Sequence, residues 1–155
     1  MMLKWTWVSV LVIALDQLTK GLATAKLNYA EPVAIMPFFN LTLVHNTGAA
    51  FSFLAQAGGW QRWFFAAIAL VVSVVILFWL SRLSPKRLWE AVGLVLILGG
   101  AIGNVWDRIL LGYVVDFLDF YYGNWHWPAF NVADSAIFVG AAILIIDGLR
   151  SYRKS

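Results

Sequence analysis

Two aspartates carry the chemistry this chain is best equipped for: Asp116, in Val114-Val115-Asp116-Phe117, and Asp134, in Phe130-Asn131-Val132-Ala133-Asp134-Ser135. Each sits among apolar neighbours, and an ionisable group near hydrocarbon is costly enough to be a functional candidate by default. Two carboxylates brought close together resist joint ionisation and share a proton. Such a dyad activates water and protonates a leaving amine without a metal or a nucleophilic side chain, which is the chemistry of aspartyl proteases. The plainer reading makes Asp116 a loop carboxylate and Asp134 a helix-start residue.

What else the chain offers narrows the choice. It contains no cysteine, which excludes disulfides, thiolate metal sites and a cysteine nucleophile. Its histidines are His45 and His126, and neither has the spacing of a metal site, so no metal and no cofactor is expected. Of the 155 residues, 62% are hydrophobic and 12% charged, with a mean hydropathy of +0.79. A soluble domain of this length cannot hide so much apolar surface. At roughly 20 residues per span, there is room for a few membrane helices and some extramembrane structure in one domain over residues 1–155. The net charge of +3 comes mostly from basic residues at the ends and in one turn. It carries topology information and gives no footprint for nucleic acid.

The elements that must position the two aspartates follow from the apolar runs. Trp5 to about Ala25 imitates a signal peptide, down to the small residues Ala23-Thr24-Ala25, but Asp16 and Lys20 interrupt it. As a retained helix it places Asp16 and Lys20 one turn apart, either as a simple ion pair or as a brace for a buried polar site. Lys26 to Gly59 reads as extramembrane, with strand-like pieces at 33–36 and 39–44 between Pro32, Pro37 and the turn formers. His45 to Phe53 then reads as a flap over a site or as an interfacial loop with aromatic anchors. Trp63 to Leu80 is a second span. A third runs from Leu88 to about Val105 and ends in small residues suited to close helix packing. Asp107 and Arg108 follow, either paired at the surface or orienting the site. Tyr113 to Phe120 is strand-like, 121–128 is aromatic, and the fourth span covers Phe130 to Leu149. Asp147, near its end, is read as a partner for Arg150, Arg153 or Lys154.

Basic residues give the orientation. Seven (Lys4, Arg82, Lys86, Arg87, Arg150, Arg153, Lys154) fall on one side and three (Lys26, Arg62, Arg108) near the other. Both termini are therefore expected in the cytoplasm, with Asp116 and Asp134 at the outer boundary.

Five motifs in order resemble those of the bacterial lipoprotein signal peptidases, the signal peptidase II family. They are Asp16-Gln17-Leu18-Thr19-Lys20, Asn46-Thr47-Gly48-Ala49-Ala50-Phe51, Gly103-Asn104-Val105-Trp106-Asp107-Arg108, Val114 to Phe117 and Phe130 to Ser135. The resemblance spans nearly the whole chain. It implies an all-α membrane protein with four transmembrane helices and a small periplasmic β-sheet cradle, lying in the bacterial inner membrane among lipids. A monomer is expected, although sequence does not give the oligomeric state. The implied substrate is a prolipoprotein cut just before a diacylglyceryl-modified cysteine. Asp116 and Asp134 match the family's catalytic aspartates. Asn46, Asn104, Arg108 and Asn131 match polar residues that line or support the site, and Asp16 and Asp107 match carboxylates with a structural or orienting role.

On that basis one ionised aspartate takes a proton from the attacking water, and its protonated partner polarises the carbonyl and protonates the leaving amine. Asn131, Asn104 and Arg108 are candidate donors to the developing oxyanion or to substrate carbonyls. The rival class is a small proton-coupled transporter or channel subunit. Against it, the acids cluster at one boundary, no polar chain crosses the second or third helix, and no internal repeat is visible. A purely structural membrane subunit leaves the polar motifs at that boundary unexplained.

Overall fold

A computed structural model of the chain describes residues 1–48 and 59–153. Four helices are long and apolar enough to cross a membrane. They are α1 (Thr6–Lys26, entered through a short 3-10 turn at Leu3–Trp5), α2 (Gln61–Arg82), α3 (Leu88–Leu110) and α4 (Val132–Tyr152). Each is a run of apolar residues whose backbone polar groups are satisfied within the helix, as hydrocarbon demands. Four strands, β1 (Val33–Met36), β2 (Phe39–Asn46), β3 (Val114–Tyr122) and β4 (Trp125–His126), form an antiparallel sheet in the order β1-β2-β3-β4. This is the four-helix membrane architecture with a small sheet that the sequence led us to expect.

The helix α3 is the centre of the bundle and is packed by the other three. Close approach to α4 depends on Gly100, where a Cβ would collide with the carbonyl oxygen of Ala133 and come within 2.7 Å of Ile137 Cγ1. Gly103 has the same function towards α1, since a Cβ there would lie 2.7 Å from Asp16 Oδ2. Small residues thus bring the three helices that carry the polar motifs into backbone range of each other. By contrast, α2 and α4 turn much of their apolar surface outward, with Val71, Val74, Phe78, Phe138 and Ile145 exposed.

The bundle has two unlike ends. At one, Met2, Ile76, Leu80, Leu83, Ala91, Leu94, Val95 and Leu98 make an apolar cluster, and the Met2 amide donates to the Leu80 carbonyl. The N-terminus, the turn after α2 and the far part of α4 meet there. Asp147 is 3.5 Å from Arg87 of that turn, so among the described residues its salt-bridge partner comes from a neighbouring helix start and not, as expected, from Arg150 or Arg153; Lys154, the third expected partner, lies outside the described residues. At the other end, the C-terminal turns of α1 and α3 and the N-terminus of α4 meet the sheet.

Two boundaries differ from the sequence reading in ways that matter for the site. Helix α3 continues to Leu110, so Asn104, Asp107 and Arg108 are carried by the helix itself; the buried contacts of Asn104 and Asp107 compensate its polar last turns. Strand β2 continues to Asn46, because His45 and Asn46 pair with Val115 and Val114 across the sheet. Of the expected flap, residues 49–53 lie outside the described residues, as do residues 54–58 after it.

Candidate active site

Asp116 and Asp134 reach the same place by different local rules. Asp116 projects from β3 opposite Val44, beside a register shift in β2 between Leu41 and Val44, and is 2% exposed. Asp134 stands in the first turn of α4, whose start is fixed by Asn131: its Oδ1 accepts the Asp134 amide at 2.9 Å, an N-cap that also places a carboxylate where the helix dipole favours it.

Asn131, wholly buried, joins the two aspartates. While its oxygen caps α4, its Nδ2 donates to Asp116 Oδ1 at 2.7 Å and contacts the Val115 carbonyl and Asn104 Oδ1, each at 3.2 Å. On the other side Asn46 Nδ2 donates to Asp116 Oδ2 at 3.0 Å, and the Asn46 oxygen accepts the Gly48 amide. Asn104 Nδ2 donates to Asp134 Oδ1 at 2.8 Å. Three asparagines therefore aim N–H groups at the two carboxylates and account for three of their four oxygens. Asn104 and Asn131 were expected as donors to an oxyanion or to substrate carbonyls; here each directs an Nδ2 hydrogen at one of the two aspartates.

Behind the asparagines lies a buried ion triad. Lys20 Nζ is 2.7 Å from Asp16 Oδ2 and 2.9 Å from Asp107 Oδ2, and it donates to Asn104 Oδ1 at 3.0 Å. Asp16 is wholly buried and Asp107 nearly so. Asp16 Oδ1 accepts the Ala133 amide at 2.9 Å, while Asp107 Oδ2 accepts the Val115 amide at 3.1 Å. Gln17 ties both together, with Nε2 2.9 Å from Asp107 Oδ1 and 3.2 Å from Asp16 Oδ2. Of the two readings left open for Asp107, a surface pair with Arg108 is excluded, because its partner is Lys20 of α1. The Asp16–Lys20 pair is present, and it is also a brace.

Arg108 leaves α3 towards the segment that follows β2. Its guanidinium donates to the Gly48 carbonyl at 3.3 Å and to the Asn104 carbonyl at 3.4 Å, and lies 5.5 Å from the Phe65 ring centroid of α2. Its charge acts on Asp134, Asp116 and Asp107. Burial pushes the Asp116 carboxyl up to about 7, and the charge of Asp134 adds to that. The Asn46 and Asn131 N–H bonds and the Lys20 charge work in the opposite direction.

The sequence did not reveal a second polar cluster in the sheet. Asp119, buried, accepts from Asn40 Nδ2 at 3.1 Å and Thr42 Oγ1 at 3.2 Å and lies 2.8 Å from His126 Nδ1. It locks β4 to β3 and β2. His45, on β2, is stacked on Tyr113 and tilted against Tyr29, with burial holding its imidazole below the usual range. The two histidines serve separate parts of the sheet.

With this geometry in view, the likeness to known proteins is extensive. The sequence model for Signal peptidase (SPase) II matches residues 8–150. A lipoprotein signal peptidase of Alteromonas mediterranea is 58% identical over 152 residues, 98% of this chain and 84% of that protein. That of Aeromonas hydrophila is 53% identical, over 98% of this chain and 92% of its own length. A solved bacterial membrane enzyme superimposes with a TM-score of 0.86 at 30% identity, covering 96% of this chain and 89% of that one. A match of this length, at this identity and with the same fold, places the chain in the signal peptidase II family.

Proposed function

We propose that this protein is a membrane aspartyl endopeptidase that removes the signal peptide from prolipoproteins, cutting just before the diacylglyceryl-modified cysteine, with Asp116 and Asp134 as the catalytic pair. The observation that carries this reading is the asparagine bridge: one buried side chain, Asn131, holds the Asp116 carboxylate and the Asp134 backbone together. A dyad that shares one proton supplies both a base and an acid. The ionised carboxylate takes a proton from water as the oxygen attacks the scissile carbonyl, and the protonated one donates to the carbonyl oxygen. Collapse of the tetrahedral intermediate then returns a proton to the departing amine. The pair titrates as a unit, so neither role belongs to one residue by its own pKa.

Arg108, whose charge acts on both aspartates and which contacts the loop at Gly48 and the ring of Phe65 on α2, is suited to hold a substrate carbonyl. The apolar outward faces of α2 and α4 are compatible with a signal helix and acyl chains that remain in lipid. The basic residues support cytoplasmic termini and a site facing the periplasm.

Purified protein in detergent, given a diacylglyceryl-modified precursor, is expected to release the signal peptide. Asp116→Asn and Asp134→Asn are each expected to abolish release while remaining folded. Substantial turnover by either variant would defeat the dyad. Proton flux into empty liposomes, without cleavage, would instead favour the transporter class.

A further inference from the structure

Lys20 is 3% exposed and charged, and the reaction scheme assigns it no role. Its surroundings are specific. From α1 it faces Asp16; from α3, Asp107 and Asn104; Asp116 of β3 and Asp134 of α4 lie within reach of its charge. Burying an ion triad with one cation and two carboxylates is not justified by stability, since apolar replacements of such groups are often neutral or stabilising. The arrangement has to be explained by what it positions.

Two features of the geometry do so. An ammonium group has three donors and no acceptor. With Nζ at 3.0 Å, Asn104 must present its oxygen to Lys20, and its Nδ2 is then directed at Asp134 Oδ1. A flipped Asn104 would set its NH2 against Lys20 and against the Asn131 NH2, and its oxygen against the Asp134 carboxylate. The second feature is symmetrical: the carboxylates that Lys20 neutralises each accept the amide immediately preceding a dyad residue, Ala133 before Asp134 and Val115 before Asp116.

We propose that Lys20 is a positioning residue for peptide cleavage. Through Asn104 it fixes Asp134 Oδ1 as a hydrogen-bond acceptor, and through Asp16 and Asp107 it sets the backbone beside both aspartates, so that the dyad is held in its reactive, singly ionised arrangement. This rests on the dyad reading above.

The test uses the purified full chain and a lipidated precursor, with Lys20→Met and with the double variant Asp16→Asn/Lys20→Met. The double variant removes one charge of each sign and leaves an oxygen for the Ala133 amide. For enzyme recovered from the monodisperse peak, kcat is expected to fall about 10²-fold with KM little changed, the order of loss that a small misplacement of reacting groups produces. The acid limb of the pH–rate profile is expected to move to higher pH, because the cation that favours the ionised dyad is gone. A residue that only supports the fold would reduce the yield of monodisperse enzyme and leave its kcat and acid limb unchanged. That result in either variant overturns the proposal, and so does failure of both variants to give monodisperse enzyme. Asp116→Asn and Asp134→Asn, assayed in parallel, separate the two readings. If they still cleave, the dyad itself is wrong; if they are silent while the Lys20 variants are unaltered, only the role of Lys20 fails.

Discussion

The asparagine amides keep the carboxylates in place, and the cost of holding Asp116 in a dry site shows in its ionisation. A carboxyl at about 7 in the folded state, against 3.8 as its ordinary value, binds a proton more tightly folded than unfolded. Its contribution to stability is therefore complete below the ordinary value and is lost as the pH rises through about 7. We expect the melting temperature of the wild type to decline between pH 4 and 7 on this account. Asp116→Asn, which cannot ionise, should flatten that decline, and melting curves of both proteins across the range would test it; parallel curves would mean that Asp116 is not held in this way. A second expectation concerns the dyad as a unit. Because such groups act together, Asp116→Asn/Asp134→Asn should be scarcely slower than either single variant, and a product of the two separate losses in single-turnover rates would show independent roles. Both aspartates were legible from sequence, since a carboxylate in an apolar stretch is conspicuous. Lys20 was visible beside Asp16, but its second and third partners, Asp107 and Asn104, lie more than 80 residues away and leave no trace in local spacing. Asp119 was missed because its partners on β2 and β4 are brought beside it only by the pairing of the sheet.

At the scale of elements, the spans were readable because hydrocarbon imposes one rule on composition, and their ends were not. Helix α3 runs past the expected boundary because its last turns bury Asn104 and Asp107 against α1, a compensation that hydropathy alone ignores. β2 takes in His45 and Asn46 because β3 supplies a partner. The precision of the site then depends on how closely α3 and α4 approach, and that rests on Gly100. A methyl group there meets the Ala133 carbonyl, backbone that cannot yield without moving the first turn of α4 and with it Asn131 and Asp134. Gly100→Ala is expected to lower stability by about 1–3 kcal/mol, the usual cost of overpacking, and to reduce turnover of the folded enzyme as well. Gly21→Ala is the control: nothing lies within 4 Å of its added Cβ, and the helix should gain about 0.5–1 kcal/mol from the lost flexibility. Equal behaviour of the two variants in melting and turnover would show that the α3–α4 approach does not set the site.

For the whole molecule, the two ends of the bundle differ in charge as well as in structure. Met2, the turn after α2 and the far part of α4 share one end, and the basic residues Lys4, Arg82, Lys86, Arg87, Arg150 and Arg153 fall there. The sheet end carries Lys26, Arg62 and Arg108, of which Arg108 is engaged with Gly48 and Asn104. Lys20 does not enter the balance, because its charge is spent on two buried carboxylates. Translocation retains loops rich in Lys and Arg on the cytoplasmic side, so the basic end is expected in the cytoplasm and the sheet, with the dyad beneath it, outside. The β3–β4 turn offers a clean place to test this, since Gly123 has a positive φ of 59° and nothing within 4 Å of an added Cβ, leaving space for an insertion. A phosphatase reporter placed after Gly123 should be active outside the cytoplasm, and one fused after Ser155 should be inactive while a cytoplasmic reporter at the same site is active. Moving charge should have a graded effect: replacing Arg82, Lys86 and Arg87 by Gln weakens the bias of that turn and should give a mixed population at the Gly123 reporter, whereas replacing Lys26 and Arg62 should not. A phosphatase signal after Ser155 in the unmodified chain would invert the topology, and the dyad would then face the compartment in which signal peptides do not emerge.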